Sequence, residues 1–167
     1  MSLEIRRDDL TDPRVHRLLE QHLDEMRSIS PPDSVHALDL ARLRRPEIAF
    51  WTVWEADTLL GCGALKQLAP DHGEIKSMRV DHHQRGRGIG AMILDHLIAT
   101  ARAQGIRRLS LETGSQAAFL PARKLYAQRG FEECPPFADY RLDPHSVFMT
   151  LTLTPSEPAR LATQTPG

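Results

Sequence analysis

"EIKSMRVDHHQRGRGIGAMILDHL", residues 74–97, runs from a strand through a glycine-rich junction into a helix. Its first seven residues break the two-residue rhythm of a strand. Ile75 has one parity and Met78 and Val80 the other, so a regular strand would turn Ile75 away from the face they share. An extra residue near Lys76 and Ser77 puts all three on one side, which is what a β-bulge does. Gly86, Gly88 and Gly90 then crowd three of the chain's ten glycines into a short junction. From Ile89 the period changes: Ile89, Met92, Ile93, Leu97 and Ala101 recur at helical spacing, with Ile98 beside them and Gly105 as the stop. A strand, a glycine junction and a helix in that order present backbone N–H groups at a helix N-terminus, where the helix dipole sharpens an anion pocket. Glycine allows a phosphate to approach the backbone and tolerates a left-handed φ. Arg85, Arg87, His82 and His83 add positive or protonatable groups to the same junction.

Working outward, Leu3 to Arg7 reads as a short strand, and Asp12-Pro13 as the cap and first residue of a helix with Val15, Leu19, Leu23 and Met26 on one face. Ser30-Pro31-Pro32-Asp33 breaks that helix, and Asp33 or Ser34 caps a second, carrying Val35, Leu38 and Leu43 until Pro46 stops it. Ile48 to Glu55 and Thr58 to Leu68 flank Ala56-Asp57 as an antiparallel hairpin, and IAFWTVW is apolar at both parities, as a strand covered on both faces should be. Downstream, Arg107 to Thr113 reads as a strand, Ala117 to Arg129 as a helix closed by Gly130, ECPPFADYRLDP as irregular, and Val147 to Leu153 as a strand. The order predicts an α/β fold of the α+β type, a single mixed and mostly antiparallel sheet of about six to seven strands with helices on both faces. Residues 1–153 form one domain in this reading, and 154–167, rich in Pro, Thr and Ala, a mobile tail.

A chain of 167 residues buries an adequate core without disulfides or a structural metal. With 21 basic and 22 acidic residues there is no global field to steer it toward nucleic acid or an acidic membrane. Two cysteines, Cys62 and Cys134, make neither a disulfide framework nor a zinc spacing and point to a reducing compartment. The N-terminus lacks an apolar signal core, and no stretch is apolar for the length of a membrane span, so the expectation is a soluble cytoplasmic protein. The histidines fall in no H-x-x-x-H or H-E-x-x-H pattern, and no metal is expected.

The junction excludes some phosphate chemistries by what it lacks. No Lys-Ser or Lys-Thr follows it, so a nucleoside-triphosphate loop does not fit. The dinucleotide fingerprint needs G-x-G-x-x-G in an early βαβ unit, whereas the spacing here is G-x-G-x-G after antiparallel strands. A single RGRG without neighbouring aromatics is a weak RNA-binding fragment; it would predict salt-sensitive RNA affinity lost in Arg85→Ala/Arg87→Ala. The stretch resembles the acyl-CoA signature [Q/R]-x-x-G-x-[G/A] of the Gcn5-related N-acetyltransferase (GNAT) superfamily, met by Arg85, Gly88 and Gly90 after the strand end Met78-Arg79-Val80. Downstream, "ARKLYAQRGF", residues 122–131, is similar to the superfamily's A-x-x-L-Y-x-x-x-G-F segment. The resemblance covers roughly residues 3–153, and two motifs in the right order and context make coincidence a poor explanation.

The resemblance implies that the bulged strand splays from the next parallel strand and that the pantetheine arm of acetyl-CoA enters the opening. The backbone of Met78 and Val80 would pair with its amides as an added strand does. Arg79, Arg85, Gly86, Arg87, Gly88, Ile89 and Gly90 complete the cofactor-binding set, with Gly88 and Gly90 weighted above Gly86 because the pattern names them. Tyr126 occupies the position from which relatives donate a proton or hydrogen bond to the CoA sulfur. Phe119 stands where the family often has an asparagine that contacts the cofactor, so packing, or Ser115 or Gln116, replaces that contact. Arg123 and Lys124 on the last helix could meet the adenosine phosphates, the alternative being solvated helix charges. An amine with a pKa near 10 is protonated at neutral pH and needs a base; Glu74, just before the bulge, is the candidate and Glu112 its rival.

The implied function is transfer of an acetyl group from acetyl-CoA to a primary amine of a small molecule or peptide. The alternative is a CoA-binding regulatory module with little or no transfer. "HGEIKSMRV", "LSLETGS" and "PPFADYRLDPHSVFM" look like a bacterial subgroup of N-acetyltransferases, without specifying a substrate. By position, residues 26–35 and 136–145 line the acceptor pocket, and Asp24, Glu25, Asp33 and Asp139 make its rim acidic, consistent with a cationic amine. Many relatives pair as homodimers, and Val147 to Leu153 is the apolar run where a second copy would be sought.

Overall fold

The computed structural model describes residues 2–29 and 40–154, the stretch 22–29 as helical backbone. The elements are β1 (Glu4–Arg7), α1 (Pro13–Ile29), α2 (Leu40–Leu43), β2 (Ile48–Glu55), β3 (Thr58–Ala69), β4 (His72–Val80), α3 (Ile89–Ala103), β5 (Arg108–Gly114), α4 (Leu120–Gln128), β6 (Glu132–Cys134) and β7 (Ser146–Thr152). The strands form a 7-stranded sheet in the order β1-β2-β3-β4-β5-β7-β6. Every neighbouring pair is antiparallel except β4 and β5, which run parallel. This is the mixed α/β architecture expected from the sequence. The cap and core of the second helix assigned to Asp33, Ser34, Val35 and Leu38, the acceptor-loop residues 26–35 with Asp24 and Glu25, and the tail beyond Thr154 lie outside the described residues or side chains.

Two apolar layers hold the sheet between helices. On one face Ile93, Leu94 and Leu97 of α3 and Tyr126 of α4 pack against Val53, Ile75, Leu109 and Leu111. On the other, Val15 and Leu18 of α1 and Leu43 of α2 cover Phe50, Trp54 and Ala64. β2 contributes to both clusters, through Val53 to the first and through Ile48, Phe50 and Trp54 to the second, which is why its sequence is apolar at both parities. A fully buried Leu or Phe in such a layer contributes roughly 1.5–3 kcal/mol. Helix α1 begins as its sequence demands: the Asp12 carboxylate accepts the Arg14 backbone N–H at 2.8 Å, and Pro13 fills the first position, where a missing N–H costs nothing.

Two elements differ from the sequence reading. The segment read as irregular opens with β6, whose strand character comes from pairing Glu132, Glu133 and Cys134 with Thr150, Met149 and Phe148 of β7, a partner its own composition does not announce. The helix read from Ala117 starts as a 3-10 turn, Ala117–Phe119, before α4. β7 lies between β5 and β6, so both its edges are paired; Phe148, Met149 and Leu153 of the apolar run are buried within the chain, and Val147 and Leu151 are half-buried.

Candidate active site

The site begins at the bulge. Ala64 of β3 pairs with Lys76 and Cys62 with Arg79, so Gly63 alone faces both Ser77 and Met78. Ser77 takes a φ of +54°, a left-handed conformation that costs a residue with a Cβ roughly 1–2 kcal/mol. Its carbonyl accepts the Cys62 thiol at 3.3 Å, and burial pushes that thiol's pKa up to about 12, so the proton that makes the bond stays in place. Past the bulge Met78 and Val80 rejoin Ile75 against the α3 layer, as the parity break requires. Gly63 lets α3 approach here: a Cβ at this position would stand 2.6 Å from Cγ2 of Ile93.

Bending β4 ends its ladder with β5. The parallel pairing covers His72, Gly73 and Glu74 against Arg108, Leu109 and Ser110, and then the two strands part. Beyond that point the β4 backbone from Ile75 to Val80 has no β5 ladder, so its edge can pair with an extended ligand.

At the wide end of the splay, Asp81 caps the 3-10 turn His82–Gln84 by accepting the His83 N–H at 2.9 Å. Gly86 and Gly88 follow with φ of +83° and +79°, and Gly88 is the N-cap of α3 with no side chain closing it. The first-turn N–H groups of α3 therefore face outward without an internal acceptor, with the positive end of the helix dipole behind them. A Cβ at Gly86 or Gly88 would meet open space, so glycine is required there by backbone conformation and not by crowding. At Gly90 a Cβ would make ordinary contacts, 3.5 Å to Leu125 and 3.7 Å to Val80. The conformational demand for glycine thus falls on Gly86 and Gly88, while at Gly90 a Cβ has room.

Among the other residues assigned to the cofactor, Arg85 is exposed on the loop, Ile89 is buried at the start of α3, and Arg79 is buried on β4. Arg87 is held by Glu55 at 2.9 Å and by Gln84 at 2.7 Å beside the glycines. Arg123 is engaged elsewhere: its guanidinium donates to the carbonyls of Gly114 and Gln116 at 2.6 and 3.1 Å, tying α4 to the end of β5. Ser115 is likewise committed, donating to the Pro144 carbonyl at 2.7 Å. Among the described residues, Asp81, His82 and His83 form the one group with potential metal-ligand atoms within 4.8 Å of each other. Both histidines are exposed.

Inside the splay lies a cavity of about 110 Å³ whose walls include Lys76 and Met78 from β4, Glu112 from β5, and Phe119 and Tyr126. The Tyr126 ring packs edge-on against Phe131 with centroids 5.9 Å apart. Burial, and then the nearby charge of Glu112, push the Tyr126 hydroxyl up to about 12, so it is a donor at neutral pH. Burial also raises Glu112 from 4.5 to about 7, against the opposing effects of its bond from Ser146 and the charge of Lys76. The Ser146 hydroxyl donates to Glu112 at 2.7 Å and fixes one carboxylate oxygen.

Glu74, the base named from the sequence, sits on the same sheet face but is 2% exposed and not part of the cavity wall. Its carboxylate accepts Lys76 Nζ at 3.0 Å and the Tyr140 hydroxyl at 2.6 Å, while Lys76 also donates to the Tyr140 oxygen at 3.0 Å. Tyr140 reaches this pair from residues 135–145, where it stacks with Phe137 and Phe148 at centroid distances of 5.1 and 5.5 Å. The sequence reading places Lys76 at the bulge and 136–145 at the acceptor pocket but gives neither Lys76 nor Tyr140 a role of its own, though the i, i+2 spacing of Glu74 and Lys76 places both on one face.

The sequence model of the acetyltransferase (GNAT) family matches residues 14–131 of this chain. The chain is 54% identical over 151 residues to the N-acetyltransferase YsnE of Bacillus subtilis (strain 168), spanning 90% of this chain and 100% of that protein. It is 51% identical over 149 residues to the N-acetyltransferase YedL of Escherichia coli (strain K12), spanning 89% of this chain and 94% of that one. A Bacillus subtilis acetyltransferase solved in complex with CoA shares the fold, with a TM-score of 0.65 at 19% identity over 92% of this chain and 100% of that one. Among the described residues no helix is long and apolar enough to cross a membrane.

Proposed function

From the premise that the chain belongs to the acetyltransferase (GNAT) family, we propose that it transfers the acetyl group of acetyl-CoA to a primary amine by direct attack. The observation that carries this reading is the splay. A bulged β4 parts from β5 over a cavity that holds a protonated hydroxyl, Tyr126, and a carboxyl that ionises near neutrality, Glu112. The diphosphate lies on the N–H groups following Gly86 and Gly88 with Arg85 and Arg87 beside it, and the pantetheine runs along the β4 edge at Met78, Arg79 and Val80, beyond the β5 ladder. Ile89 and Gly90 form the first turn of α3 beneath the diphosphate. Phe119 packs against the thioester end in place of a polar contact.

The base is Glu112, and Glu74 holds Lys76. What supports this choice is position: Glu112 borders the cavity, whereas Glu74 is buried behind an ion pair. Glu112 takes a proton from the incoming ammonium. The freed amine attacks the thioester carbon, the C–S bond breaks, and the thiolate takes the Tyr126 proton. The second amine proton returns to Tyr126, directly or through water, and Glu112 gives the first to solvent, so one ammonium and acetyl-CoA give one amide, CoA–SH and one proton. General acid and base contribute typically 10²–10⁴-fold each.

The experiment is CoA thiol release with a panel of amines, for the wild type, Tyr126→Phe, Glu112→Gln and Glu74→Gln. Tyr126→Phe is expected to lower kcat by about 10–10²-fold and Glu112→Gln by about 10²-fold or more, both with unchanged acetyl-CoA affinity. A larger loss in Glu74→Gln than in Glu112→Gln would return the base to Glu74. Acetyl-CoA binding with no amine-dependent thiol release would favour the regulatory module.

A further inference from the structure

Lys76 and Glu112 line one cavity from opposite strands of the splay, yet they do not pair with each other. Lys76 makes its ion pair with Glu74 at 3.0 Å, and Glu112 accepts from Ser146. Lys76 is nonetheless among the charges that act on Glu112, so the two belong to one local field. An ammonium has three N–H donors; Glu74 and Tyr140 take two, and the third belongs to a residue that borders the cavity. The side chain is only 11% exposed, and its two partners pin the ammonium in place, so little further ordering is needed to bind an anion. Opposite charges carried by two residues that border one space, without an ion pair between them, suit a guest that carries both signs.

We propose that Lys76 and Glu112 form the two ends of an acceptor site for a zwitterionic amine, a molecule bearing a carboxylate close to its amino group, the class of free amino acids. The inference rests on the transferase reading above and narrows its acceptor. The amino end goes to Glu112, where the proton is removed, and the carboxylate end takes the remaining donor of Lys76. Glu74 and Tyr140 act through Lys76 as positioning residues. A carboxylate left facing Lys76 is worth a charge-assisted hydrogen bond, and an acceptor without one leaves that donor unmet.

The test compares each of several free amino acids with its own amide and its decarboxylated amine, scored as kcat/KM by thiol release at fixed saturating acetyl-CoA. The wild type is expected to prefer the acid by about 10- to 100-fold over the amide. In Lys76→Met that ratio should fall to near one, through a rise in KM for the acid, and Lys76→Arg should restore part of it. The wild-type comparison needs no variant, so misfolding of Lys76→Met cannot shelter the proposal; acetyl-CoA binding reports whether that variant is folded. Equal rates on acid and amide in the wild type, or a ratio unmoved by Lys76→Met, would overturn this proposal and leave the transferase standing. Absence of transfer to any amine would overturn both.

Discussion

A carboxyl group removed from water holds its proton longer, and at Glu112 this has two consequences of opposite sign. Burial lifts it from 4.5 to about 7 in the folded chain. The unfolded chain therefore releases this proton first, and folding stability falls as pH rises from about 4.5 to about 7, by as much as about 3 kcal/mol if the full shift is realised. Activity moves the other way, because only the ionised group accepts the ammonium proton. The charges that set the midpoint are Lys76, which lowers it, and Glu74 and Asp143, which raise it. The expected result is a kcat/KM that rises with a midpoint near 7, a rise absent from the residual activity of Glu112→Gln. In the same variant, thermal stability at pH 8 should equal or exceed that of the wild type. A rise centred near 9 or above, unchanged in Glu112→Gln, would report the amine alone and remove Glu112 from the mechanism.

The glycine junction shows at the scale of an element what the motif left undecided. Gly88 occupies the left-handed region at the N-cap of α3, and a β-branched residue there must either move the backbone or carry roughly 1–3 kcal/mol of strain. Gly88→Val is expected to abolish acetyl-CoA binding by calorimetry while the chain still folds, that backbone strain lowering Tm by about 2–12 °C with no added clash, since a Cβ there meets open space. Gly90→Ala should bind acetyl-CoA within a few fold of the wild type, and a total loss there would restore the motif's own ranking. The parity break at Ile75 and Met78 disclosed the bulge because a bulge is a local event, written in adjacent residues. The hairpin of β2 and β3 was legible for the same reason. β6 and the Glu74–Lys76–Tyr140 cluster were not: Tyr140 lies 66 positions from Glu74, and no periodicity links them. The register of Glu74 against Ser110 puts Glu74 and Glu112 on one face, and which of them the 135–145 segment covers depends on that distant contact.

Across the described residues, the sheet consists of two parts, β1 to β4 and β5, β7 and β6, joined edge to edge by the short parallel ladder from His72 to Glu74 and the adjoining bonds of Arg107 and Arg108 to the Asp71 carbonyl. The α3 and α4 layer bridges the rest through Leu97, Leu109 and Tyr126. A ligand that pairs with the β4 edge beyond the β5 ladder would extend that ladder and fasten the two parts together, whereas one held only at its phosphates would order the glycine junction alone. Saturation with CoA at 100 times its Kd stabilises a folded protein by about 2.7 kcal/mol in either case, so a Tm rise of several degrees does not separate them. Hydrogen exchange does. Strand-like pairing requires amides in residues 76–80 of β4 to slow on adding CoA along with those of 86–91, and the effect should survive removal of the 3′-phosphate from the ligand. Slowing confined to 86–91 would mean that the splay is a passage for the thioester and not a binding edge, and the bulge at Ser77 would then serve only to open it.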